Sequence, residues 1–222
     1  FNVEESDKIL VSKINIFGNN VTKESVIRNQ LELDEGDQFN NILATKSINN
    51  IKSLNYFRNV ELEILDKDEG SKELNIAVEE KPTGEITAGA GVGTSGGTIG
   101  FGIKENNYLG SGVKLDANMT ITEDSIKGLF SVNNPNYKNT NKSFYTTIQA
   151  TETNKLTDFG YKTGKTGFSF GTAFEYYKDL NLGLGLNTFY ETIEADSTAS
   201  TRQKDQVGNY FDTFVNLNFD YD

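Results

Sequence analysis

The sequence predicts two parts in tandem: a small α+β domain over residues 1–84 and a set of antiparallel strands of the membrane-barrel kind over residues 85–222. Three observations carry this expectation. Residues 1–84 hold 26 charged side chains but only 4 glycines and 5 aromatic residues, whereas the rest holds 17 glycines and 20 aromatics, a shift in composition that marks a domain boundary. Beyond residue 84, apolar residues recur at every second position almost without interruption, which is the period of a strand. The positions between them are Gly, Thr and Asn more often than charged groups, which suits a concave, lumen-facing surface better than one bathed in bulk solvent. Pro82, in Glu79-Glu80-Lys81-Pro82-Thr83-Gly84, supplies a short, stiff connector.

In the first part, Ile9, Val11, Ile14 and Ile16 lie in a β-prone run that ends at the turn signal Gly18-Asn19-Asn20. Thr22 is expected to cap a short helix reaching Leu31, with Val21 and Val26 forming its hydrophobic staple. After the turn at Asp34-Glu35-Gly36-Asp37, Ala44, Ile48, Ile51 and Leu54 fall at spacings of 4, 3 and 3, the stripe of a second, amphipathic helix. Val60, Leu62 and Ile64, and then Leu74, Ile76 and Val78, predict two strands joined by the hairpin Asp66-Lys67-Asp68-Glu69-Gly70. The order is therefore strand, helix, helix, strand, strand.

In the second part, one parity collects Ile86, Ala88, Ala90 and Val92; Ile99, Phe101 and Ile103; Val113, Leu115, Ala117, Met119 and Ile121; and Phe144, Thr146, Ile148 and Ala150. The pattern continues through Phe168, Phe170, Thr172, Phe174 and Tyr176, then Leu180 to Leu186, then Phe211 to Tyr221. Only 125–133 is ambiguous, because Leu129 and Phe130 point opposite ways. Eight strands of about 8 to 12 residues follow, long enough to cross a bilayer core when tilted. Tyr108, Phe144, Tyr176, Tyr177, Phe189 and Tyr190 near strand ends are candidates for an interfacial girdle. Tyr177-Lys178-Asp179 is a short turn, while 154–163 and 194–209 are expected to be longer links. Because the pattern is still running at Asp222 and Phe1 lacks a leader, the sequence is expected to be an internal piece of a longer protein.

Composition excludes several functions. With 222 residues, a net charge of -11 and no Cys or His, the chain has no disulfide, no Cys/His zinc site, no cysteine nucleophile and no Ser-His-Asp triad. It also lacks the basic footprint that nucleic-acid binding requires. The run Gly91-Val92-Gly93-Thr94-Ser95-Gly96 matches G-x-G-x-x-G, but Ile99, Phe101 and Ile103 follow it like a strand, whereas a dinucleotide site needs a helix there. The acidic hairpin at 66–70 fails the calcium-loop spacing. The pairs Glu4-Glu5, Asp34-Glu35 and Glu123-Asp124 lack the apolar framing that would split their pKa values for acid/base work. No catalytic residue, metal or cofactor is expected.

Several motifs then resemble a known family. Ile16-Phe17-Gly18-Asn19 before the first helix and Asn55-Tyr56-Phe57-Arg58-Asn59-Val60 after the second resemble a polypeptide-transport-associated (POTRA) domain. The join Val78-Glu79-Glu80-Lys81-Pro82-Thr83-Gly84 with Gly89-x-Gly91-x-Gly93 is similar to the passage into the barrel in BamA-like outer-membrane protein assembly factors. Glu105-Asn106-Asn107-Tyr108-Leu109-Gly110-Ser111-Gly112 and Val132-Asn133-Asn134-Pro135-Asn136-Tyr137 resemble turns of that barrel. The resemblance implies a β-α-α-β-β POTRA domain at 1–84, in the periplasm of a Gram-negative bacterium. It makes 85–222 the first eight or so strands of an expected 16 in the outer membrane. It further implies unfolded outer-membrane protein clients, accessory lipoproteins and no covalent chemistry.

Edge-strand physics supplies a mechanism for such a protein. Unpaired strand N–H and C=O groups template another chain, and in lipid each unpaired group costs several kcal/mol. The first barrel strand is rich in small residues, so Ile86, Thr87, Ala88, Gly89, Ala90, Gly91 and Val92 are the candidates for backbone pairing with a client strand at a lateral gate. Asn59, Val60, Glu61, Leu62, Glu63, Ile64 and Leu65 are the candidate POTRA edge for clients or accessory proteins. Three alternatives stand beside this: a pore of the two-partner secretion type, the barrel of a phospholipase fusion, and a complete eight-stranded barrel or soluble sandwich.

Overall fold

The computed structural model describes residues 8–68, 70–93 and 96–221. Glu4 and Glu5, Glu69 of the acidic hairpin, Thr94 and Ser95 of the glycine run, and Asp222 lie outside the described residues. The described chain divides into two units, one up to Thr83 together with Leu109–Gly112, the other comprising Gly84–Tyr108 and the residues from Val113 on.

The first unit runs β1 (Leu10–Phe17), α1 (Glu24–Arg28), α2 (Asn41–Ser53), β2 (Phe57–Asp68) and β3 (Ser71–Glu80). Its sheet has the order β1-β3-β2, with β1 parallel and β2 antiparallel to the central β3. Val11 and Ile14 are both buried although three residues apart, and the register shift between Val11 and Lys13 reconciles them by restoring the inward parity. They pack with Ile27, Ile48, Ile51 and Ile76 into one core.

The expected helix start is corrected by the structure. Lys23, not Thr22, is the N-cap of α1, and it makes no side-chain cap bond. Thr22 is buried and Val21 is 67% exposed, so the staple does not form. Instead the carboxylate of Glu80, at the end of β3, accepts the amides of Asn20 at 2.9 Å, Val21 at 2.9 Å and Thr22 at 2.6 Å. Lys23 N–H goes to the carbonyl of Gly110, in the Leu109–Gly112 segment of the same unit, at 2.8 Å. The helix also ends at Arg28 rather than Leu31, because Gln30 and Leu31 donate three residues back, tightening the last turn. The second helix forms as expected, capped by Asn40, whose side chain accepts from the amides of Ile42 and Leu43.

The second unit runs β4 (Gly84–Gly93), β5 (Gly96–Tyr108), β6 (Val113–Thr122), β7 (Ser125–Asn134), β8 (Lys142–Lys155), α3 (Leu156–Phe159), β9 (Tyr161–Tyr177), β10 (Leu180–Ala195), α4 (Thr201–Lys204) and β11 (Gly208–Tyr221). These eight strands form one sheet in sequence order, every neighbouring pair antiparallel, with β4 and β11 at its ends. Strands β9 and β10, at 17 and 16 residues, exceed the expected length, and the expected link at 154–163 shrinks to 156–160 because both flanking strands continue into it. No described helix is long and apolar enough to cross a membrane, which says nothing of strands.

Register assigns the faces. One row runs Ile86, Ile103, Ala117, Phe130, Ile148, Phe168, Thr188, Thr213, each residue directly opposite the next. The row beside it on the other face runs Thr87, Gly102, Asn118, Leu129, Gln149, Gly167, Phe189, Asp212. The ambiguous segment at 125–133 is thus a strand with Phe130 on the apolar face and Leu129 on the polar one. Phe189 is a correction: it leaves the expected girdle for the polar face, where its ring stacks on Phe214 at 5.7 Å and Lys165 lies over it at 4.7 Å.

Candidate strand-pairing edges

Strand β4 pairs with β5 alone, from Gly84 opposite Glu105 to Gly93 opposite Gly96. All of Ile86, Thr87, Ala88, Gly89, Ala90, Gly91 and Val92 therefore lie on one edge strand, and every residue of β4 is exposed. Ile86 and Val92 reach 81% and 92% exposure, so the edge has almost no side-chain packing to hold it. A Cβ built on Gly89, Gly91 or Gly93 would meet nothing within 4 Å, so no neighbour demands a glycine there. What the glycines do remove is side-chain contact with β5 and conformational stiffness, which weakens the strand.

The second candidate edge is β2. The sheet of the first unit has two outer edges, β1 and β2, and they differ in cover. Along β1, Val11 N–H donates to Asp37 O at 2.9 Å, Gly36 N–H to Val11 O at 2.7 Å, Ile14 N–H to Glu35 Oε1 at 3.0 Å, and Arg28 to Ile14 O at 2.9 Å. The loop between the helices thus closes that edge. Among the described residues no such cover lies along the outer edge of β2, which carries Asn59, Val60, Glu61, Leu62, Glu63, Ile64 and Leu65. Register shifts at Phe57/Asn59 and Asp66/Asp68 bound this stretch at both ends.

Electrostatics near these edges is structural. Burial works against the charge on Glu80, but the Thr22 amide and hydroxyl and the Val21 and Asn20 amides outweigh it and hold the carboxyl below its usual range. A hydrogen bond from Lys67 lowers Glu73, and Asn15 adds to it. In the acidic hairpin, Asp66 pairs with Lys72, and Lys67 pairs with Glu73 of β3 at 2.9 Å. Asp34 and Glu35 serve the β1 loop, and Asp124 pairs with Lys155 at 3.7 Å. Among the described residues no group of three or more acidic side chains is placed to hold a metal ion. The described residues of the G-x-G-x-x-G run end β4 at Gly93 and begin β5 at Gly96, and none of them opens a helix for a phosphate.

Three functional features escaped the sequence. Glu80 sits in a charged connector and gives no sign of its distant amide partners. On the polar face, Tyr145 lies across Gly171 and Gly185, where a Cβ on either would come within 2.5 Å of its hydroxyl, and Phe189 lies over Gly167 in the same way. The β8–β9 and β10–β11 connections also interlock: Asp196 N–H donates to Gly160 O at 2.8 Å, Gly160 has φ +73°, and Ala199 is buried at 5% exposure. Only the αL glycine at 160 hints at this in the sequence.

Residues 9–81 match the POTRA family model, described as a surface antigen variable number repeat. The chain is 34% identical over 52% of its length to the outer membrane protein assembly factor BamA of Neorickettsia risticii, and spans 16% of that protein. Its fold superposes on the crystal structure of BamA from Haemophilus ducreyi lacking POTRA domains 1–3, with a TM-score of 0.73 at 23% identity, covering 95% of this chain and 42% of that one. CdiB from Escherichia coli has a related fold, with a TM-score of 0.59 at 13% identity, covering 97% of this chain and 42% of that one. The eight-stranded sheet accordingly shares the fold of the barrel strands in that BamA structure, and residues 9–81 are a POTRA domain. The chain is a POTRA domain followed by half-barrel strands, similar to the corresponding stretch of BamA-like proteins.

Proposed function

We propose that this chain is part of an outer-membrane protein assembly factor and that β4 is its client-pairing edge, at which the strand backbone templates an incoming barrel strand. The observation that carries this is the glycine pattern of β4 at one end of the sheet: Gly89, Gly91 and Gly93 leave one of its faces without side chains to pack on β5, whereas β11, the other end strand, has no glycine after Gly208. An edge held so weakly can exchange its cover for a client strand at little net cost, because each backbone bond lost to water or lipid is regained with the client. The role needs no nucleophile, metal or cofactor. Relatives named as assembly factors, at 34% and 27% identity, favour this over the secretion-pore and phospholipase readings. Unfolded outer-membrane proteins and the bilayer are the partners in this proposal. The β2 edge from Asn59 to Leu65 is the second docking strand, for clients or accessory lipoproteins, supported by its lack of cover beside a closed β1 edge.

The test uses the full-length protein with single cysteines from Ile86 to Val92, against this Cys-free stretch, and a stalled client strand carrying its own cysteine. Crosslinks that shift in register along β4 are expected. Crosslinks absent there but abundant at β11 or on the polar face would overturn the assignment of the edge.

A further inference from the structure

We propose that the apolar face of the strand sheet carries a seat for one lipid acyl chain, floored by Ala117, Gly128 and Ala150. The seat rests on the outer-membrane placement of the sheet and is independent of the gate. These three small residues lie on neighbouring strands β6, β7 and β8, on one face: Gly128 is opposite both Met119 and Ala150, and Ala117 is opposite both Ile103 and Phe130. They leave a hollow of about 430 Å³, rimmed by Phe101, Ile103, Met119, Phe130 and Ile148. A Cβ on Gly128 would meet nothing within 4 Å, so no described side chain fills the floor. The rim residues are 43% to 59% exposed, standing out around it.

The chemistry of the lining selects the occupant. Asn118, which borders the hollow, belongs to the opposite parity, and its side chain bonds Asp116 on the polar face. The rim and floor side chains therefore offer no hydrogen-bonding group, so a headgroup has nothing to hold it. This face is continuous with the surface that the bilayer covers, where water is not available to fill a hollow and an unfilled one forfeits dispersion contacts. Since lipid tails are as apolar as the rim, packing rather than hydrophobicity decides residence. A flexible hydrocarbon chain can follow the diagonal from Ala117 to Ala150 between the rim side chains.

The full-length protein, reconstituted in phosphatidylethanolamine and phosphatidylglycerol vesicles containing a phospholipid with a diazirine on one acyl chain, tests this by mapping photoadducts. Adducts are expected to be several-fold enriched at Phe101, Met119, Phe130 and Ile148 over Phe170, Leu184 and Val215, which are also on the apolar face. Gly128→Leu and Ala150→Leu should return them to the level of that reference group. Labelling in simple proportion to exposure, or enrichment that survives both substitutions, overturns the seat and leaves the membrane placement standing. Should the variants fail to assemble, the distribution on the unmodified protein decides alone. Absence of adducts from the whole apolar face would instead count against the placement in the bilayer.

Discussion

The glycines of β4 and those of β9 and β10 occupy equivalent positions on the same polar face, yet their surroundings differ. Around Gly89 and Gly91 there is open space, whereas Gly167 lies under the Phe189 ring, and Gly171 and Gly185 lie under Tyr145. In β9 and β10 the missing side chain is replaced by an aromatic ring laid across the strands, so the glycine is the condition for tight packing. In β4 nothing replaces it. Strands β8 to β10 also pair on both sides and are tied at one end through Gly160 and Asp196, whereas β4 pairs on one side. One residue type thus makes room for a ring in β9 and β10 and borders open space in β4, and the composition alone does not distinguish the two uses.

That contrast can be broken or sharpened by substitution in the full-length protein. The largest effect is expected from faces rather than from glycines. Leu184→Lys puts a charge on the apolar face at about 2–4 kcal/mol, depending on depth, and should block assembly, while Asn187→Lys on the polar face should assemble. Heat-modifiable mobility of the folded barrel reads the outcome, and equal tolerance would invalidate the faces on which the comparison stands. Next come the covered glycines. Gly171→Val or Gly185→Val must displace Tyr145, costing about 1–3 kcal/mol in overpacking, visible as a lower urea midpoint. Tyr145→Ala combined with Gly171→Val should recover part of that loss, which separates ring cover from backbone strain.

Smaller is the effect at Glu80, whose removal should cost about 1 kcal/mol, the net contribution of a typical intramolecular hydrogen bond. Because its folded pKa is lowered, its contribution is complete above the ordinary carboxylate value and disappears as pH falls through the lowered one. Amide protection factors at Asn20, Val21 and Thr22, measured against the intrinsic exchange rate at each pH, should therefore fall on acidification in the unmodified protein and be low at all pH values in Glu80→Ala. The smallest stability change is expected at the uncovered glycines. Gly89→Val and Gly91→Val have room for the side chain and raise strand propensity, so the urea midpoint should change by well under 1 kcal/mol equivalent. Client crosslinking along β4 should nevertheless fall, because a stiffer strand yields its edge less readily. Equal loss of stability at Gly91 and Gly171 would erase the distinction between open and ring-covered glycines.

Much of the fold was legible because it rests on local periodicity. The two-part composition, the stripe of the second helix and the alternation of each strand follow from side-chain spacing within a few residues. The first helix was misjudged at its start because Thr22 has the chemistry of a cap, and the carboxylate that actually takes the amides arrives from Glu80, nearly sixty positions later. Phe189 reads as a girdle aromatic because the sequence alone places it near a strand end, whereas β10 continues to Ala195 and its register turns Phe189 to the polar face. The edge at 86–92 was legible as a run of small residues, but its lack of neighbours was not.

By itself the sequence determined which segments are strands, which parity of each is apolar except at 125–133, and that no Cys- or His-based chemistry is available, since these are properties of residue type and spacing. The tertiary structure alone decided how the strands are registered, which glycines carry a ring above them, that the loop after α1 closes β1 while β2 stays open, and that Ala117, Gly128 and Ala150 meet on one face. Those outcomes depend on the relative offset of chain segments up to some sixty residues apart, and a shift of one residue in any offset would exchange the faces without altering the periodicity of a single strand.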